Sequence, residues 1–223
     1  MSKIAAIVPM RHSSERVPGK NYRDFAGVPL YHRVIKSLLG CAAIDTVVID
    51  TDSAFIHEDA AKHFPEVKLF QRPEHLQAGT VPMNDVLLNA VNQIEADFYL
   101  QTHSTNPLLL PETVNNAVAE FLANYPMYDS LFGVTRLQTR LWDGLARAVN
   151  HNPAILLRTQ DLPPIYEENS CLYIFTKDIL KNKHNRIGDR PLMFEIDALE
   201  AVDIDVELDF RVAEFLFTER EKV

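Results

Sequence analysis

The stretch "KIAAIVP" (residues 3–9), taken with the patterns that follow it, decides the fold. Its run of apolar residues is typical of a strand that is buried on both faces. "VPLYHRVIKSLLGC" (28–41) then carries apolar residues at helical spacing, and "DTVVIDTD" (45–52) returns to the composition of a strand. A strand, a helix and a second strand in this order predict a parallel sheet.

The same alternation continues along most of the chain. Further strands are predicted at residues 67–73, 97–103 and 129–135, and helices at 53–64, 81–96, 110–125 and 206–222. Ser53 is suited to cap the first of these helices, and Pro111 to begin the third. We therefore predict an α/β fold with a doubly wound, mostly parallel sheet that helices cover on both faces.

The pattern changes between residues 136 and 176. "RLQTRLWDGLARAVNHN" (136–152) and "ENSCLYIFT" (168–176) are typical of antiparallel strands joined by polar loops. We predict a single domain over residues 1–223, with a small flap or dimerisation element inserted at about 136–168. The sole tryptophan, Trp142, lies here between Leu141 and Leu145, and such a strip packs either on a second copy or on its own sheet. We expect a homodimer.

The composition excludes several classes of protein. A chain of 223 residues with 47% hydrophobic residues can bury one substantial core. A formal net charge of −9 argues against a protein that coats nucleic acid, because that function needs a basic face. The two cysteines are far apart, which favours a reducing compartment, and no apolar stretch is long enough to cross a membrane. We expect a soluble, cytoplasmic protein.

The loop after the first strand is unusually basic for an acidic chain. "IVPMRHSSERVPGKN" (7–21) contains Arg11, Arg16 and Lys20, and such a cluster either holds a small polyanion or is a solvated loop. It is not the phosphate loop of kinases and ATPases, because Ser14 replaces the first glycine and Asn21 replaces the magnesium-binding hydroxyl. The dinucleotide motif G-x-G-x-x-G is also absent from the sequence.

Other polar residues follow the predicted strands at the point where each strand ends. They are Asp50 and Asp52 after the second strand, Arg72 after the third, and residues 101–106 after the fourth. Ligands of parallel α/β sheets bind beyond the carboxyl ends of the strands, so we expect these groups to converge on one site. Within them, the amide of Gln101 is suited to orient a polyhydroxylated substrate, whereas we interpret His103 as a hydrogen-bonded loop residue.

A pair of carboxylates lies near the end of the chain, in "EIDALEAVDIDVELDF" (195–210). Asp203 and Asp205 alternate with apolar residues, so in an extended segment both project from one face. Two adjacent carboxylates suit Mg²⁺, which typically takes one or two carboxylates together with substrate phosphates. The alternative is that Asp205 or Glu207 caps the last helix, with Asp209 in its first turn.

These residues resemble a known family, the acylneuraminate cytidylyltransferases or CMP-sialic acid synthetases. "IVPMRHSSERVPGKN" is similar to the family's opening loop, a strand ending in I-P-A-R followed by serine, a basic residue and K-N. The likeness continues, in family order, in "DTDS", "FQRPEHLQ", "LQTHSTNP", "RTQDLPPIYEENSCLYI" and "DIDVELDF".

The resemblance implies a fold like that of the nucleotide-diphospho-sugar transferases, with a small protruding dimerisation element. It implies transfer of CMP from CTP to the anomeric hydroxyl of a 2-keto sugar acid, with Mg²⁺ as cofactor and pyrophosphate as product. The implied nucleotide-binding residues are Arg11, Ser13, Arg16, Lys20, Asn21 and Arg72. The implied magnesium ligands are Asp203 and Asp205, and Gln101, Arg158 and Tyr173 face the sugar acid, with Arg158 pairing with its carboxylate. Arg11, Lys20 and Asp205 are the predicted catalytic residues.

Two segments depart from the family pattern, and both lie on the sugar side. "LQTHSTNPLL" (100–109) is longer than the family's L-Q-P-T-S-P and lacks its following arginine, and Ser170 stands where the family has glycine. The acceptor therefore stays open among sialic acid, another nonulosonic acid, the eight-carbon acid of lipopolysaccharide and a different sugar. The rival hypotheses are a nucleotidyltransferase that uses a sugar phosphate and a nucleotide-binding protein without catalysis.

Overall fold

The fold is described from a computed structural model that covers residues 2–222. The strands are β1 (Ile4–Met10), β2 (Asp24–Phe25), β3 (Val28–Pro29), β4 (Thr46–Thr51), β5 (Lys68–Gln71), β6 (Phe98–Thr102), β7 (Ser130–Leu137), β8 (Ile165–Phe175) and β9 (Pro191–Glu195). The helices are α1 (Tyr31–Leu39), α2 (Ala54–His63), α3 (Met83–Val91), α4 (Pro111–Asn124), α5 (Lys177–Lys183) and α6 (Glu207–Arg220). Short 3₁₀ turns occur at Lys20–Tyr22, Glu74–Leu76 and Thr159–Asp161.

The strands build one large sheet and one small hairpin. Over residues 2–222, the sheet has seven strands in the order β5-β4-β1-β6-β8-β7-β9, and β2 pairs with β3 separately. β5, β4, β1 and β6 are parallel to one another, β8 runs antiparallel to both β6 and β7, and β9 is parallel to β7. The predicted mostly parallel α/β fold is therefore confirmed.

Strand β1 is at the centre of the hydrophobic core. Ile4, Ala6 and Val8 face the core that α1, α2 and α4 cover, whereas Ala5 and Ile7 face the core under α3 and α5. All seven residues of the strand are buried, so each large side chain contributes about 1.5–3 kcal/mol through removal from water. Burial on both faces is the physical reason why the strand sequence is apolar without alternation.

Local sequence signals set the starts of two helices as predicted. The side chain of Ser53 accepts a hydrogen bond from the backbone N–H of Ile56, 3.3 Å away, and thus caps α2. Pro111 is the first residue of α4, where a missing N–H costs nothing. Helix α6 packs against β2 and the loop after β6 through Phe210 and Phe217, and so holds the chain that precedes it.

The segment between β7 and β8 differs from the prediction. Antiparallel strands joined by polar loops were predicted for residues 136–152, but beyond β7 this stretch forms only an isolated bridge between Trp142 and Ala148. Side chains take the place of a strand ladder here: Asn150 accepts from the N–H of Leu141 at 2.9 Å and donates to the carbonyl of Thr139 at 2.7 Å. The predicted strand at 168–176 is confirmed, because it forms most of β8.

Two further expectations concern the whole chain. Cys41 and Cys171 are both buried and unbonded to each other, as expected without a disulfide framework. Within the described part of the chain, no helix combines the length and the apolar character that a membrane span requires.

Candidate active site

A cleft of about 440 Å³ opens at the carboxyl ends of β1 and β6. Its walls come from the loop after β1, from residues 72–86 and from residues 103–105. All the residues predicted to bind a nucleotide line this cleft: Arg11, Ser13, Arg16, Lys20, Asn21 and Arg72. The structure thus brings the basic loop and Arg72 to one concave surface.

The loop after β1 turns back into the cleft at Gly19. This glycine has φ 66°, in the left-handed region, and a Cβ there would lie 2.9 Å from the ring of Tyr22. The turn continues with the N–H of Lys20 donating to the carbonyl of Val17 at 3.1 Å, and Val17 is fully buried. A buried anchor and a tight turn therefore hold Lys20 in the cleft wall.

Asn21 fastens this loop to the loop after β6. Its amide nitrogen donates to the carbonyl of Arg11 at 2.7 Å, and its amide oxygen accepts from the hydroxyl of Ser104 at 2.7 Å. Asn21 and Ser104 are both buried. The contacts explain why an asparagine stands where a phosphate loop has a hydroxyl, since the amide bridges two segments.

The acidic pair meets the basic loop in the same cleft region. Ile204 is buried and its N–H donates to the carbonyl of Thr105 at 3.0 Å, which fixes the flanking Asp203 and Asp205. Arg16 donates to Asp205 at 2.6 Å, and Lys20 Nζ donates to the carbonyl of Ile204. Residues near the two ends of the chain therefore share one site.

The charged groups at this junction are partly removed from water. Burial lowers the pKa of Lys20, and the carboxylates of Asp203 and Asp205 oppose that effect. Burial also raises the pKa of Asp203, because protein atoms crowd its carboxylate although the residue still reaches solvent; the hydrogen bond with Thr105 opposes this shift. Desolvated charges that face one another are typical of ligand and catalytic sites.

The alternative role of Asp205 as a helix cap is not what the structure shows. Asp209 caps α6, since its carboxylate accepts from the N–H groups of Asp205 at 2.9 Å and Val206 at 2.8 Å. The side chains of Asp203 and Asp205 are left to face Lys20 and Arg16. Burial raises the pKa of Asp203, and the charge of Asp205 adds to this shift. Two neighbouring oxygen-only side chains of this kind are a donor set that fits a hard divalent cation.

A second group of metal-ligand side chains lies outside the cleft. Among residues 2–222, His32, Asp59 and His63 are the group of three whose ligand atoms lie within 4.8 Å of one another. Asp59 already accepts from Tyr31 and contacts His32 Nε2 at 2.6 Å and His63 Nδ1 at 3.1 Å. This hydrogen-bond network accounts for the buried polar groups without an ion.

Gln101 and Tyr173 lie side by side on paired strands, but neither is open to solvent. They are register partners in β6 and β8, and their exposed fractions are 0% and 1%. The guanidinium of Arg186 lies over the ring of Tyr173, 3.9 Å from its centroid, and donates to the amide oxygen of Gln101. Arg186 therefore covers both residues that were predicted to face the sugar.

His103 connects this covered pair to the cleft. Its Nε2 lies 2.8 Å from the amide nitrogen of Gln101, which donates because the amide oxygen accepts from Arg186. The partner of the ring is thus an amide and not a neighbouring hydroxyl. Burial, with Arg186 and Lys20 nearby, lowers the pKa of His103 to about 4. The imidazole is therefore neutral at physiological pH.

The lowered pKa of His103 predicts a pH-dependent stability. Between the unfolded pKa near 6.5 and the folded pKa near 4, the unfolded chain binds the proton more tightly, so acid destabilises the fold. When the pH is lowered from 7 to 4.5, we expect the free energy of unfolding to fall by about 1–3 kcal/mol more in the wild type than in His103→Gln. The range takes into account that part of the ring is open to solvent. Urea unfolding at both pH values measures this difference, and equal losses in the two proteins would contradict it.

Arg158 is not brought to Gln101 and Tyr173 within one chain. It lies in the segment between β7 and β8, is 72% exposed and pairs with Asp161 at 2.7 and 3.0 Å. Nor does it line the cleft. The expectation that it faces the same ligand as Gln101 is thus not met by a single chain, because this segment does not fold back over β6 and β8.

Arg72 is the most enclosed of the predicted cations. It is 2% exposed, and its Nε pairs at 2.5 Å with the carboxylate of Asp50, which is fully buried. A second contact joins Arg72 to the carbonyl of Asp50 at 3.1 Å. Asp50 is one of the residues that were predicted to converge at the strand ends. In the structure it holds Arg72 in the cleft wall.

Sequence reasoning missed Arg186. It lies in the polar run "KNKHNRIGDR" (181–190), where nothing local distinguishes it from a solvated surface arginine. Ser170, by contrast, was noted as a departure from glycine, and it does adopt φ 58° in the left-handed region. Its hydroxyl lies 3.2 Å from that of Tyr173, so the exchange of glycine for serine adds a polar contact beside the Tyr173 hydroxyl.

Comparison with known proteins agrees with this fold. The family described as "Cytidylyltransferase" matches residues 5–220. The chain belongs to this family and is a nucleotidyltransferase, and the resemblance to acylneuraminate cytidylyltransferases is confirmed.

Two curated relatives illustrate the similarity. N-acylneuraminate cytidylyltransferase A of Danio rerio is 29% identical over 221 residues, which are 95% of this chain and 50% of that protein. CMP-N,N'-diacetyllegionaminic acid synthase of Legionella pneumophila is 28% identical over 229 residues, which are 96% of each chain. The chain thus spans half of the first relative and nearly all of the second.

A solved structure shows the same architecture. It is CMP:2-keto-3-deoxy-manno-octonic acid synthetase complexed with CTP, with a TM-score of 0.72 at 18% identity. The match covers 98% of this chain and 100% of the other. At this identity the likeness concerns the fold alone.

Proposed function

We propose that the protein transfers CMP from CTP to the anomeric hydroxyl of a 2-keto sugar acid, releasing pyrophosphate, with Mg²⁺ as cofactor. The observation that carries the proposal is the junction at which Lys20 and Arg16 meet Asp203 and Asp205 beside the cleft. The names of the relatives support the acceptor class, since they refer to N-acylneuraminate and to N,N'-diacetyllegionaminic acid.

The basic loop is suited to the charge that develops in this reaction. Attack on the α-phosphate builds negative charge on its oxygens and on the departing pyrophosphate, so fixed positive charge and positioning account for most of the catalysis. Arg11, Arg16 and Lys20 supply that charge from one wall of the cleft. Asn21 and Gly19 hold the loop in place before the nucleotide binds.

Asp203 and Asp205 would hold the magnesium ion. When bound, Mg²⁺ neutralises the triphosphate and the leaving group and can lower the pKa of a coordinated hydroxyl. The charge of Lys20 favours the ionised form of Asp203, although burial, the larger effect, raises the pKa of that carboxyl.

The contact between Arg16 and Asp205 is suited to exchange on nucleotide binding. The two side chains are 63% and 49% exposed, and an ion pair of this kind contributes no more than about 1 kcal/mol. Arg16 can therefore leave Asp205 for a phosphate at little cost, which frees the carboxylate for a cation.

An acceptor screen tests the proposed function. The purified protein is incubated with CTP, MgCl₂ and one acceptor at a time: N-acetylneuraminic, legionaminic, pseudaminic or 3-deoxy-manno-octulosonic acid, or a sugar 1-phosphate. We expect pyrophosphate and a CMP-sugar by mass spectrometry with at least one acid, and loss of both with EDTA. Turnover of the sugar phosphate alone, or turnover unaffected by EDTA, would overturn the proposal.

The segment between β7 and β8 is proposed to pack on a second copy of the chain. Its apolar side chains are open to solvent, with Leu145 at 74%, Ile155 at 57% and Leu156 at 89% exposure. Such side chains suit an interface that water does not reach. Arg158, in the same segment, would then reach an acceptor site only in the other copy.

Replacing Leu156 by aspartate should convert the dimer into a monomer, because the charge would be buried against an apolar surface. Light scattering coupled to size-exclusion chromatography measures the mass. Met127→Asp is the matched control, since Met127 is 70% exposed but lies outside this segment, and it should leave the dimer intact. A wild-type protein that is monomeric at micromolar concentration would refute the proposal.

A further inference from the structure

A second cavity, of about 320 Å³, lies between α1, the loop after β6 and the end of α6. None of the described residues that line it also lines the cleft. Among its described lining residues three are cations and one is acidic: Arg33 and Lys36 of α1, Arg220 of α6, and Glu221. The cavity therefore carries an excess of positive charge in a protein whose net charge is −9.

Ion pairs do not neutralise the three cations. Within residues 2–222, none of them has a carboxylate partner. Arg33 and Lys36 are three positions apart in α1, so their side chains lie on the same face of the helix. Arg220 comes to the same cavity from the last turn of α6. Like charges that share a cavity repel one another, and an anion bound there would relieve this repulsion.

Contacts with the protein hold the two guanidinium groups of the cavity against one aromatic ring. Arg33 lies over Phe217, 4.1 Å from the ring centroid, and its Nη2 donates to the carbonyl of Ala26 at 2.7 Å. Arg220 lies 5.6 Å from the same centroid and donates to the carbonyl of Leu108 at 2.7 Å. Both groups are therefore in place before any ligand binds, which lowers the entropic cost of binding.

Arg33 is partly removed from water without full compensation. Burial lowers the pKa of its guanidinium, and the charges of Glu221 and Asp24 oppose that effect. Its Nε is buried with no hydrogen-bond partner. This nitrogen is closed to a ligand, but a negative charge in the cavity would favour the charged guanidinium as a whole.

The lining of the cavity suits phosphate better than a single carboxylate. A phosphate group carries about two negative charges at pH 7, which matches an excess of cations more closely than one charge does. Arginine binds phosphate oxygens in pairs, and lysine adds a point charge. Pro107 and Leu110 form an apolar wall beside the cations, which admits the organic part of a phosphate ester. The volume of the cavity is also in the range of small-molecule sites.

We propose that this cavity binds a phosphate-bearing anion at a site separate from the catalytic cleft. Lys36 and Arg220 contact the phosphate oxygens, and Arg33 adds a fixed positive charge. The proposal does not depend on the acceptor or on cytidylyl transfer. The loop after β6 lines both places, with residues 103–105 in the cleft and Pro107 and Leu110 in the cavity, so the two sites need separate measurements.

Acetylation of single lysines reports on the two sites separately. The whole protein is acetylated to a low extent without Mg²⁺ at constant ionic strength, and peptide mass spectrometry gives the rates at Lys36 for the cavity and Lys20 for the cleft. Lys62, an exposed lysine of α2 that lines neither site, is the control. With about 1 mM inorganic phosphate, pyrophosphate or CMP, we expect at least one probe to slow acetylation of Lys36 roughly 10-fold relative to Lys62. Equal effects on Lys36 and Lys62 with all three probes would overturn the proposal, whatever happens at Lys20.

Substitution of Arg220 tests whether the cations of the cavity hold the probe. Arg220→Met should raise the concentration that half-protects Lys36 by roughly 10-fold. The matched control is Arg211→Met, which removes a 74% exposed arginine of the same helix that does not line the cavity, and it should behave as wild type. Protection of Lys36 in Arg220→Met equal to that in wild type would overturn the proposal. If Arg220→Met does not fold, the comparison of Lys36 with Lys62 in the wild type decides.

The probes also distinguish the source of the phosphate. Protection by inorganic phosphate or pyrophosphate at least as strong as that by CMP assigns the site to free phosphate, and stronger protection by CMP assigns it to a nucleotide. Both results support the proposal. Citrate is the polycarboxylate control, and protection of Lys36 by citrate equal to that by the best phosphate probe would overturn the assignment to phosphate.

Discussion

Replacement of Lys20 by alanine should lower kcat for cytidylyl transfer by roughly 100- to 1000-fold. Lys20 lines the cleft, donates to the carbonyl of Ile204 and faces the carboxylates of Asp203 and Asp205. Its positive charge therefore lies between the cleft, where the phosphates are expected, and the carboxylates expected to hold the cation. Removing it leaves the developing charge on the α-phosphate and pyrophosphate without this compensation.

Steady-state kinetics with saturating acceptor measure this effect. Lys20→Arg keeps a cation at the position and should recover part of the rate. Lys68→Ala, which removes an exposed lysine of β5, is the matched control and should leave kcat unchanged. A kcat for Lys20→Ala within about threefold of the wild type would mean that Lys20 stabilises little of the transition-state charge.

Replacement of Arg72 by methionine should lower the free energy of unfolding by about 3–5 kcal/mol. Asp50 is fully buried, and one of its carboxylate oxygens has no hydrogen-bond partner even when Arg72 is present. Loss of Arg72 would leave this carboxylate buried without a counter-ion. It must then either stay charged in an apolar environment or take up a proton, and both cost free energy.

The double variant Arg72→Met with Asp50→Leu separates the cost of an unpaired carboxylate from the cost of lost packing around Arg72. Because it removes both charges, it should recover most of the lost stability in urea unfolding. Arg147→Met breaks a pair with Asp143 whose arginine is 73% exposed, and this control should cost no more than about 1 kcal/mol. If the double variant is as unstable as Arg72→Met, the cost comes from lost packing and not from the unpaired carboxylate.

The sequence predicted the strands and helices that have strong local patterns. β1 and β4 are apolar runs, and α2 and α4 carry their own start signals at Ser53 and Pro111. Helix α5 and strand β9 were not predicted, because α5 lies in a polar stretch and β9 is only five residues long. The segment after β7 was predicted as antiparallel strands joined by polar loops, but several of its apolar side chains are exposed and it forms only an isolated bridge.

The sequence predicted which residues converge on the candidate site only where the order of the strands in the sheet could be assumed. The residues after β1, β4 and β5 converge because parallel neighbouring strands end at one edge of the sheet. Asp203 and Asp205 could be chosen as a pair from their spacing, whereas the contact of Asp205 with Arg16, 189 residues away, needed the fold. Arg158 was chosen from the resemblance, and a single chain does not bring it to the site.

Sequence by itself determined where the chain is buried, where most strands and helices begin, and that a cationic loop follows β1, because these properties depend on neighbouring residues. Only the tertiary structure decided that β8 lies between β6 and β7, which brings Tyr173 beside Gln101 and allows Arg186 to cover both. Arg186 and Gln101 are 85 residues apart, and their contact depends on strand order and loop closure. Local hydrophobic periodicity carries no information about either.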